Sequence, residues 1–296
     1  MPLPLKQSVV DEWVAPIKGT FDIKDICFDL DIASSEGKRK LRVYLARLEK
    51  RGVLAYLGGN KFRKIDNELP EISWQTADLN AVLPLRFPFG EHNYCKIFPK
   101  SIVIVAGTKN SGKTAYLYNF IKLNMDRFGI DLYNSETSPQ QMKERFDPLA
   151  IPDPAPFKVY ERYDNFADVI QPDRISVIDY LDMNSEVYMI GTEIDSIFRK
   201  LRSVAVIGLQ KPPPTVTFIK GVRKSIERDL AYGGGFTAKR SVLYISIGSN
   251  KLKIVHIKTP TRRVNNPDNM VFTFQINQDG IHFDNIQRYY DGDEVA

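Results

Sequence analysis

Ser101-Ile102-Val103-Ile104-Val105-Ala106-Gly107-Thr108-Lys109-Asn110-Ser111-Gly112-Lys113-Thr114 sets the architecture of most of this 296-residue chain. Its first six residues are β-branched or small and run without polar alternation, which predicts a strand buried on both faces. Gly107 to Thr114 then spells G-x-x-x-x-G-K-T, and a helix is expected from Ala115. In a strand–loop–helix setting the glycines let main-chain N–H groups turn inward around a phosphate, and the helix N-terminus adds a favourable dipole. Lys113 brings a point charge to the outer phosphates, and the Thr114 hydroxyl can ligate Mg²⁺. The candidate nucleotide-binding loop is therefore Gly107, Thr108, Lys109, Asn110, Ser111, Gly112, Lys113 and Thr114, with ATP and Mg²⁺ as expected ligands.

Phosphoryl transfer also needs a carboxylate near the metal and a group that orients the attacking water. Open α/β sheets place such groups at strand ends. Ile175-Ser176-Val177-Ile178-Asp179 reads as an apolar strand ending in an acid, and Asp179 joins Thr114 as a candidate metal residue. Ile130 to Glu136 reads as another short strand, and Glu136 is the candidate base. As an acid ahead of a helix expected near Ser138-Pro139, Glu136 also suits that helix's dipole. Val204 to Leu209 is a further buried strand, followed by Gln210, a neutral amide suited to sensing a γ-phosphate. Lys113, Glu136, Asp179 and Gln210 are the candidate catalytic set.

From about Lys96 to residue 290, β-branched runs alternate with amphipathic stretches, which predicts an α/β fold with a mainly parallel sheet and crossover helices. The late runs Ser241–Ile247, Leu252–Ile257, Val271–Ile276 and Ile281–Ile286 predict antiparallel edge strands. Residues 66–95 carry Pro70, Pro84, Pro88 and Gly90 and read as an extended connector. Residues 291–296 read as a frayed acidic tail.

Residues 1–65 read as helices followed by a hairpin. Thr20 is expected to cap a helix from Phe21 whose buried face is Ile23, Ile26, Cys27 and Leu30. Ser34 or Ser35 is expected to cap the next helix, with Leu41, Tyr44, Leu45 and Leu48 as its buried stripe and Gly52 closing it. Strands are expected on either side of Gly58-Gly59-Asn60. Residues 36–64 hold ten Lys and Arg against Glu36 and Glu49. Arg39, Lys40, Arg47, Lys50 and Arg51 form one basic surface, while a solvated face or a protein-docking module is the alternative reading. The order helix, helix, basic helix, hairpin resembles the winged helix-turn-helix family, in which the basic helix lies in the major groove of duplex DNA and the hairpin touches phosphates.

The whole chain has 41 Lys and Arg against 36 Asp and Glu, a net +5. That balance alone does not argue for nucleic acid. A hydrophobic fraction of 43% excludes intrinsic disorder, and no apolar run approaches the ~18 residues of a membrane span. Two cysteines, Cys27 and Cys95, cannot make a disulfide framework or a closed zinc site unaided. His92, His256 and His282 are scattered, and Trp13 and Trp74 are expected to pack. A cytoplasmic protein without a membrane role is expected.

Ala106-Gly107 through Gly112-Lys113-Thr114-Ala115, Ser135-Glu136 with Ser138-Pro139-Gln140-Gln141, Val177 to Leu181, and Leu209-Gln210 together look like the ordered motifs of RecA-like ATPases. Among these, residues 85–285 are most similar to the motor domain of the bacterial replicative helicase (DnaB) family. The resemblance implies ATP hydrolysis stimulated by DNA, with Glu136 as catalytic glutamate, Asp179 as the Mg²⁺-associated acid and Gln210 linking nucleotide to DNA loops. It implies replication or recombination as the task, for which the small two-part architecture suggests a mobile genetic element. It further implies a homo-oligomer, a hexamer in that family, and a lysine–arginine pair acting in trans. Lys258 and Arg262 are the candidates, more widely spaced than the family's pair. The basic stretch with Lys211, Lys220, Arg223 and Lys224 corresponds to loops that hold single-stranded DNA. The departure from the family is the N-terminal segment, which replaces a primase-contacting helical domain. A nucleotide-gated DNA-binding regulator and an assembly ATPase with a protein-docking winged helix are the alternative functions.

Overall fold

The computed structural model describes residues 5–182, 189–219, 222–248, 250–261 and 266–289. The chain divides into two compact units, Met1–Ala77 and Asp78–Ala296.

The first unit contains α1 (Gln7–Val14), β1 (Thr20–Asp22), α2 (Ile23–Asp29), α3 (Ser35–Lys50), β2 (Leu54–Gly58) and β3 (Lys61–Lys64). Its antiparallel sheet runs β1-β3-β2. Thr20 does not cap α2, because it opens β1. Asp22 caps instead, in a reciprocal box with Asp25 that satisfies two otherwise orphaned N–H groups. Ser34 caps α3 through the Gly37 N–H. The α3 C-terminus closes with Gly52 N–H on Glu49 O and Val53 N–H on Leu48 O, Gly52 standing at φ +71°. Gly59 and Asn60, both at positive φ, make the tight hairpin turn. Val10, Val14, Ile26, Leu41, Leu45, Leu48 and Leu54 form the core, with Cys27 packed at its margin. Trp13 packs edge-on against Phe21 at 5.1 Å and donates to Asp29.

The second unit contains β4 (Ser101–Gly107), α4 (Lys113–Asn124), β5 (Ile130–Asn134), α5 (Pro139–Phe146), β6 (Lys158–Glu161), α6 (Phe166–Val169), β7 (Ile175–Leu181), α7 (Ile190–Lys200) and β8 (Val204–Gln210). It continues with β9 (Thr215–Ile219), β10 (Val222–Ile226), α8 (Gly235–Ala238), β11 (Ser241–Gly248), β12 (Lys251–Ile257), β13 (Val271–Ile276) and β14 (Phe283–Tyr289). A nine-stranded sheet runs β14-β13-β12-β11-β4-β8-β7-β5-β6. From β11 to β6 all neighbours are parallel, and β12, β13 and β14 extend it antiparallel. β9 and β10 form a separate two-stranded arm.

Alternation along the central strands divides the core in two. Val103, Val105, Val204 and Val206 face α4, while Ile102, Ile104, Ala205 and Ile207 face Ile190, Ile194 and Ile197 of α7. Helix α4 is buried almost all round, which accounts for its lack of a polar face.

The stretch 66–95, expected as one connector, divides between the units. Trp74 sits in a short 3₁₀ turn and is 71% exposed, contrary to the packing role expected of it. Further on, Leu85, Phe87, Phe89 and Cys95 are buried in the main core. Asn124 clamps this segment to α4, accepting from Arg86 N–H at 2.9 Å and donating to Arg86 O at 2.7 Å. Among the described residues no helix is long and apolar enough to cross a membrane.

Glu91 is fully buried in this segment, where it accepts from Tyr116 Oη at 2.9 Å and Phe89 N–H at 3.0 Å. Desolvation pushes its carboxyl up to about 7, against the opposing pull of those hydrogen bonds. A carboxyl whose folded pKa lies above its unfolded value stabilises the fold fully below the unfolded pKa, and that stability is lost as pH rises through 7. Urea denaturation of the wild type should therefore show ~3 kcal/mol less stability contributed at this position at pH 8 than at pH 4.5. The difference between wild type and Glu91→Gln isolates it: the variant gains on the wild type as pH rises. Parallel curves for the two proteins would contradict this.

Candidate functional site

The glycine-rich loop leaves the C-terminal end of β4, at the centre of the parallel sheet, and re-enters the fold as α4. Two residues hold its curvature. Gly112, the N-cap of α4, stands at φ +95°, and a Cβ there would lie 2.7 Å from Ile276 Cδ1. At Gly107 a Cβ would meet Ser111 Oγ at 2.5 Å. Asn110 also takes positive φ, a conformation short polar side chains tolerate.

Lys113 is buried, and its Nζ lies 3.9 Å from the centroid of the Tyr180 ring. Burial holds its pKa below the ordinary lysine value, with Asp179, Glu136 and Asp182 pulling the other way. Asp179 is wholly buried on β7 and accepts from Thr114 Oγ1 at 3.3 Å. Desolvation, with Glu136 adding to it, raises its carboxyl to about 6, while Lys113, Thr114 and Arg145 oppose that rise. A dication beside this carboxylate would restore its ionised form.

Beyond β5, Asn134 Oδ1 accepts from Thr137 N–H at 3.1 Å and Thr137 Oγ1 at 2.8 Å. Ser135 bonds across to the β7 backbone, its N–H on Asp179 O at 2.9 Å. This clasp ends the strand early and presents Glu136 exposed at the mouth. Ser138 and Gln141 then cap α5 reciprocally, with Pro139 at its first turn. Gln210 ends β8 in register with Gly107.

The loop, Glu136, Gln210 and Arg145 line one cavity of about 460 Å³, completed by Asn250, Ile276 and Gly280. Three buried polar atoms in and behind it have no hydrogen-bond partner among the described residues: Ser111 Oγ, Asp179 Oδ2 and Arg145 Nη1. An orphaned carboxylate oxygen suits a hydrated dication, and an orphaned guanidinium N–H suits an anion. The residues present therefore fit a Mg²⁺–polyphosphate. A larger apolar cleft of about 860 Å³, walled by Met142, Phe146 and Phe157, adjoins it and shares Glu136.

Sequence reasoning missed Arg145, Asn250, Ile276 and Gly280. Arg145 carries a local signal, lying three residues after the buried Met142 and so on the inward face of α5. The other three sit at or beside turns of the antiparallel strands, which nothing near the loop in sequence announces.

On α3, Arg39, Arg47 and Lys50 are exposed, and Arg47 lies over the Tyr44 ring at 5.6 Å. Lys40 and Arg51, expected on the same free basic surface, are instead ion-paired, to Glu36 at 2.7 Å and Asp11 at 3.2 Å. Lys211 is likewise engaged within the fold. It is buried, with Nζ on Glu227 Oε1 at 2.9 Å and Ser246 Oγ at 2.8 Å. Lys220 and Arg262 lie outside the described residues, as do the side chains of Arg223 and Lys224. Lys258 is exposed just after β12.

No family model matches the chain, and no curated protein matches it. Among solved structures, one described as the crystal structure of the RadB recombinase is similar over 63% of this chain and 90% of that chain, at 13% identity and a TM-score of 0.40. At that level of likeness, what the loop can do is decided by its own residues.

Proposed function

We propose that this chain is a Mg²⁺-dependent ATPase of the RecA-like type that acts on DNA in recombination or replication, most similar to the replicative helicase (DnaB) motor. The observation that carries the reading is the convergence of Lys113, Thr114, Glu136, Asp179 and Gln210 on one loop at the C-terminal edge of a parallel sheet. Main-chain N–H groups of residues 107–114 hold the phosphates, and Lys113 neutralises the outer ones. Mg²⁺, when bound, supplies charge neutralisation on the β- and γ-phosphate oxygens. Thr114 and Asp179, joined by the hydrogen bond at 3.3 Å, would hold that ion. Glu136, at the solvent-facing mouth, orients and deprotonates the attacking water. Gln210, which lines the cavity at the end of β8, follows the γ-phosphate and passes its state to the backbone leading to the β9–β10 arm.

The first unit is read as a winged helix-turn-helix on duplex DNA. Its element order, its hairpin and the exposed Arg39, Arg47 and Lys50 on α3 support this. Lys40 and Arg51 join them only if their exposed ion pairs open, which solvent screening makes easy. Lys220, Arg223 and Lys224 belong to the stretch proposed for single strands, and Lys258 and Arg262 to the proposed contact with a neighbouring subunit in a homo-oligomer.

ATP turnover with no DNA, with single strands and with duplex tests the whole reading. Single strands should raise turnover several-fold. Joint alanine substitution of Arg39, Arg47 and Lys50 should weaken duplex binding and flatten its log–log salt dependence by about 3. Slow turnover unmoved by single strands, with tight binding to one duplex site, would favour a DNA-binding regulator. Turnover and binding both indifferent to DNA would favour an assembly ATPase and reject the DNA reading.

A further inference from the structure

Among the described residues, Arg145 is the one charged side chain lining the loop cavity that neither the loop nor the acids near the strand ends account for. It lies in the last turn of α5, half-buried, with Nη1 fully buried and without a hydrogen-bond partner. Its placement is built in. Met142 and Phe146, three residues before it and one after, fix the inward face of the helix. Met142 is buried, and Phe146 stacks on Tyr118 of α4 with ring centroids 4.3 Å apart and planes 11° apart. The helix that begins beside Glu136 is thus pinned to the helix that begins at Lys113, and Arg145 is held between them, toward the cavity.

A buried guanidinium N–H left unpaired is costly. The natural occupant is an anion, and the planar fork of arginine suits a phosphate's paired oxygens. The inner phosphates already have the main-chain N–H groups of the loop. The Glu136 side of the cavity is where the third phosphate must lie for an attacking water to be oriented there.

We infer, on the ATPase reading above, that Arg145 binds the γ-phosphate from within the same chain and makes the site distinguish nucleoside triphosphate from diphosphate. The charge stabilisation sought in trans at Lys258 and Arg262 is then supplied, at least in part, in cis. Arg145 also sits close enough to Asp179 to hold its carboxyl down, so a purely electrostatic role is the alternative the test must separate.

The full chain is titrated with Mg²⁺–ADP and with Mg²⁺ and a non-hydrolysable ATP analogue, as wild type, Arg145→Gln and Arg145→Lys. For Arg145→Gln, affinity for the analogue should fall on the order of tenfold or more, while affinity for ADP changes by less than about threefold. Arg145→Lys, retaining charge but not the fork, should fall between. ADP binding also reports that each variant is folded. Equal losses for ADP and the analogue, or no loss for either, would overturn the assignment while a nucleotide-binding wild type upholds the ATPase reading. A wild type that binds neither nucleotide overturns both.

Discussion

Lys113→Ala should lower ATP turnover about 10³-fold or more without unfolding the protein. The ammonium is a buried, fixed positive charge beside the proposed position of the outer phosphates. Removing one such preorganised group from comparable sites costs roughly 10²- to 10³-fold, and here nucleotide binding is weakened as well. The fold should survive because burial disfavours this charged lysine and holds its pKa down. Deleting it relieves that desolvation, and alanine is well suited to the first turn of α4. A thermal melt close to wild type alongside lost turnover is the expected pair of results. Turnover within tenfold of wild type would remove Lys113 from the chemistry.

Glu136→Gln should separate binding from chemistry. Glu136 is exposed, sits outside the hydrophobic core, and is presented by the Asn134–Thr137 clasp, whose bonds to the Asn134 side chain leave the glutamate carboxylate uninvolved. The amide preserves shape and removes basicity. Affinity for Mg²⁺–ATP should stay within about threefold, while turnover falls 10²- to 10⁴-fold, the usual contribution of a positioned general base. Single-turnover and equilibrium-binding measurements on the same preparation check both halves. Unchanged turnover would reject Glu136 as the base.

The parts of the molecule legible in the sequence are those whose determinants are local. The β4 run, the two glycines and Lys113-Thr114 are contiguous, so strand, loop and helix follow from one another. Gln210 is legible as a strand end because buried parallel strands read as unbroken apolar runs; Asp179 is legible on the same kind of run, although β7 does not end there but continues to Leu181. The β1 strand is hidden in the sequence because three residues become a strand only through pairing with β3, far along the chain at Lys61–Arg63. Local chemistry at Thr20 pointed to a cap that Asp22 fills instead. Residues 85–97 show little helical periodicity, yet Leu85, Phe87, Phe89, Cys95 and Ile97 lie in the core. Their burial depends on Asn124 of α4 holding the Arg86 backbone, a contact between segments 38 residues apart. Arg145 was passed over for a similar reason. Whether an arginine in a short helix faces solvent or a cavity is set by how that helix docks, and here the Phe146–Tyr118 stack sets it. The same applies to the basic surface: charge density on α3 is legible, but Asp11, which ties up Arg51, comes from α1, a helix 40 residues away in sequence.

The central claim is that main-chain N–H groups of residues 107–114, with Lys113 and Asp179, hold the phosphates of a Mg²⁺–nucleoside triphosphate. Isothermal titration of the full chain with a non-hydrolysable ATP analogue tests it most directly. One saturable site per chain is predicted, strengthened by Mg²⁺ and lost or severely weakened in Lys113→Ala. A wild type showing no saturable binding, or binding that neither Mg²⁺ nor Lys113→Ala alters, would contradict it.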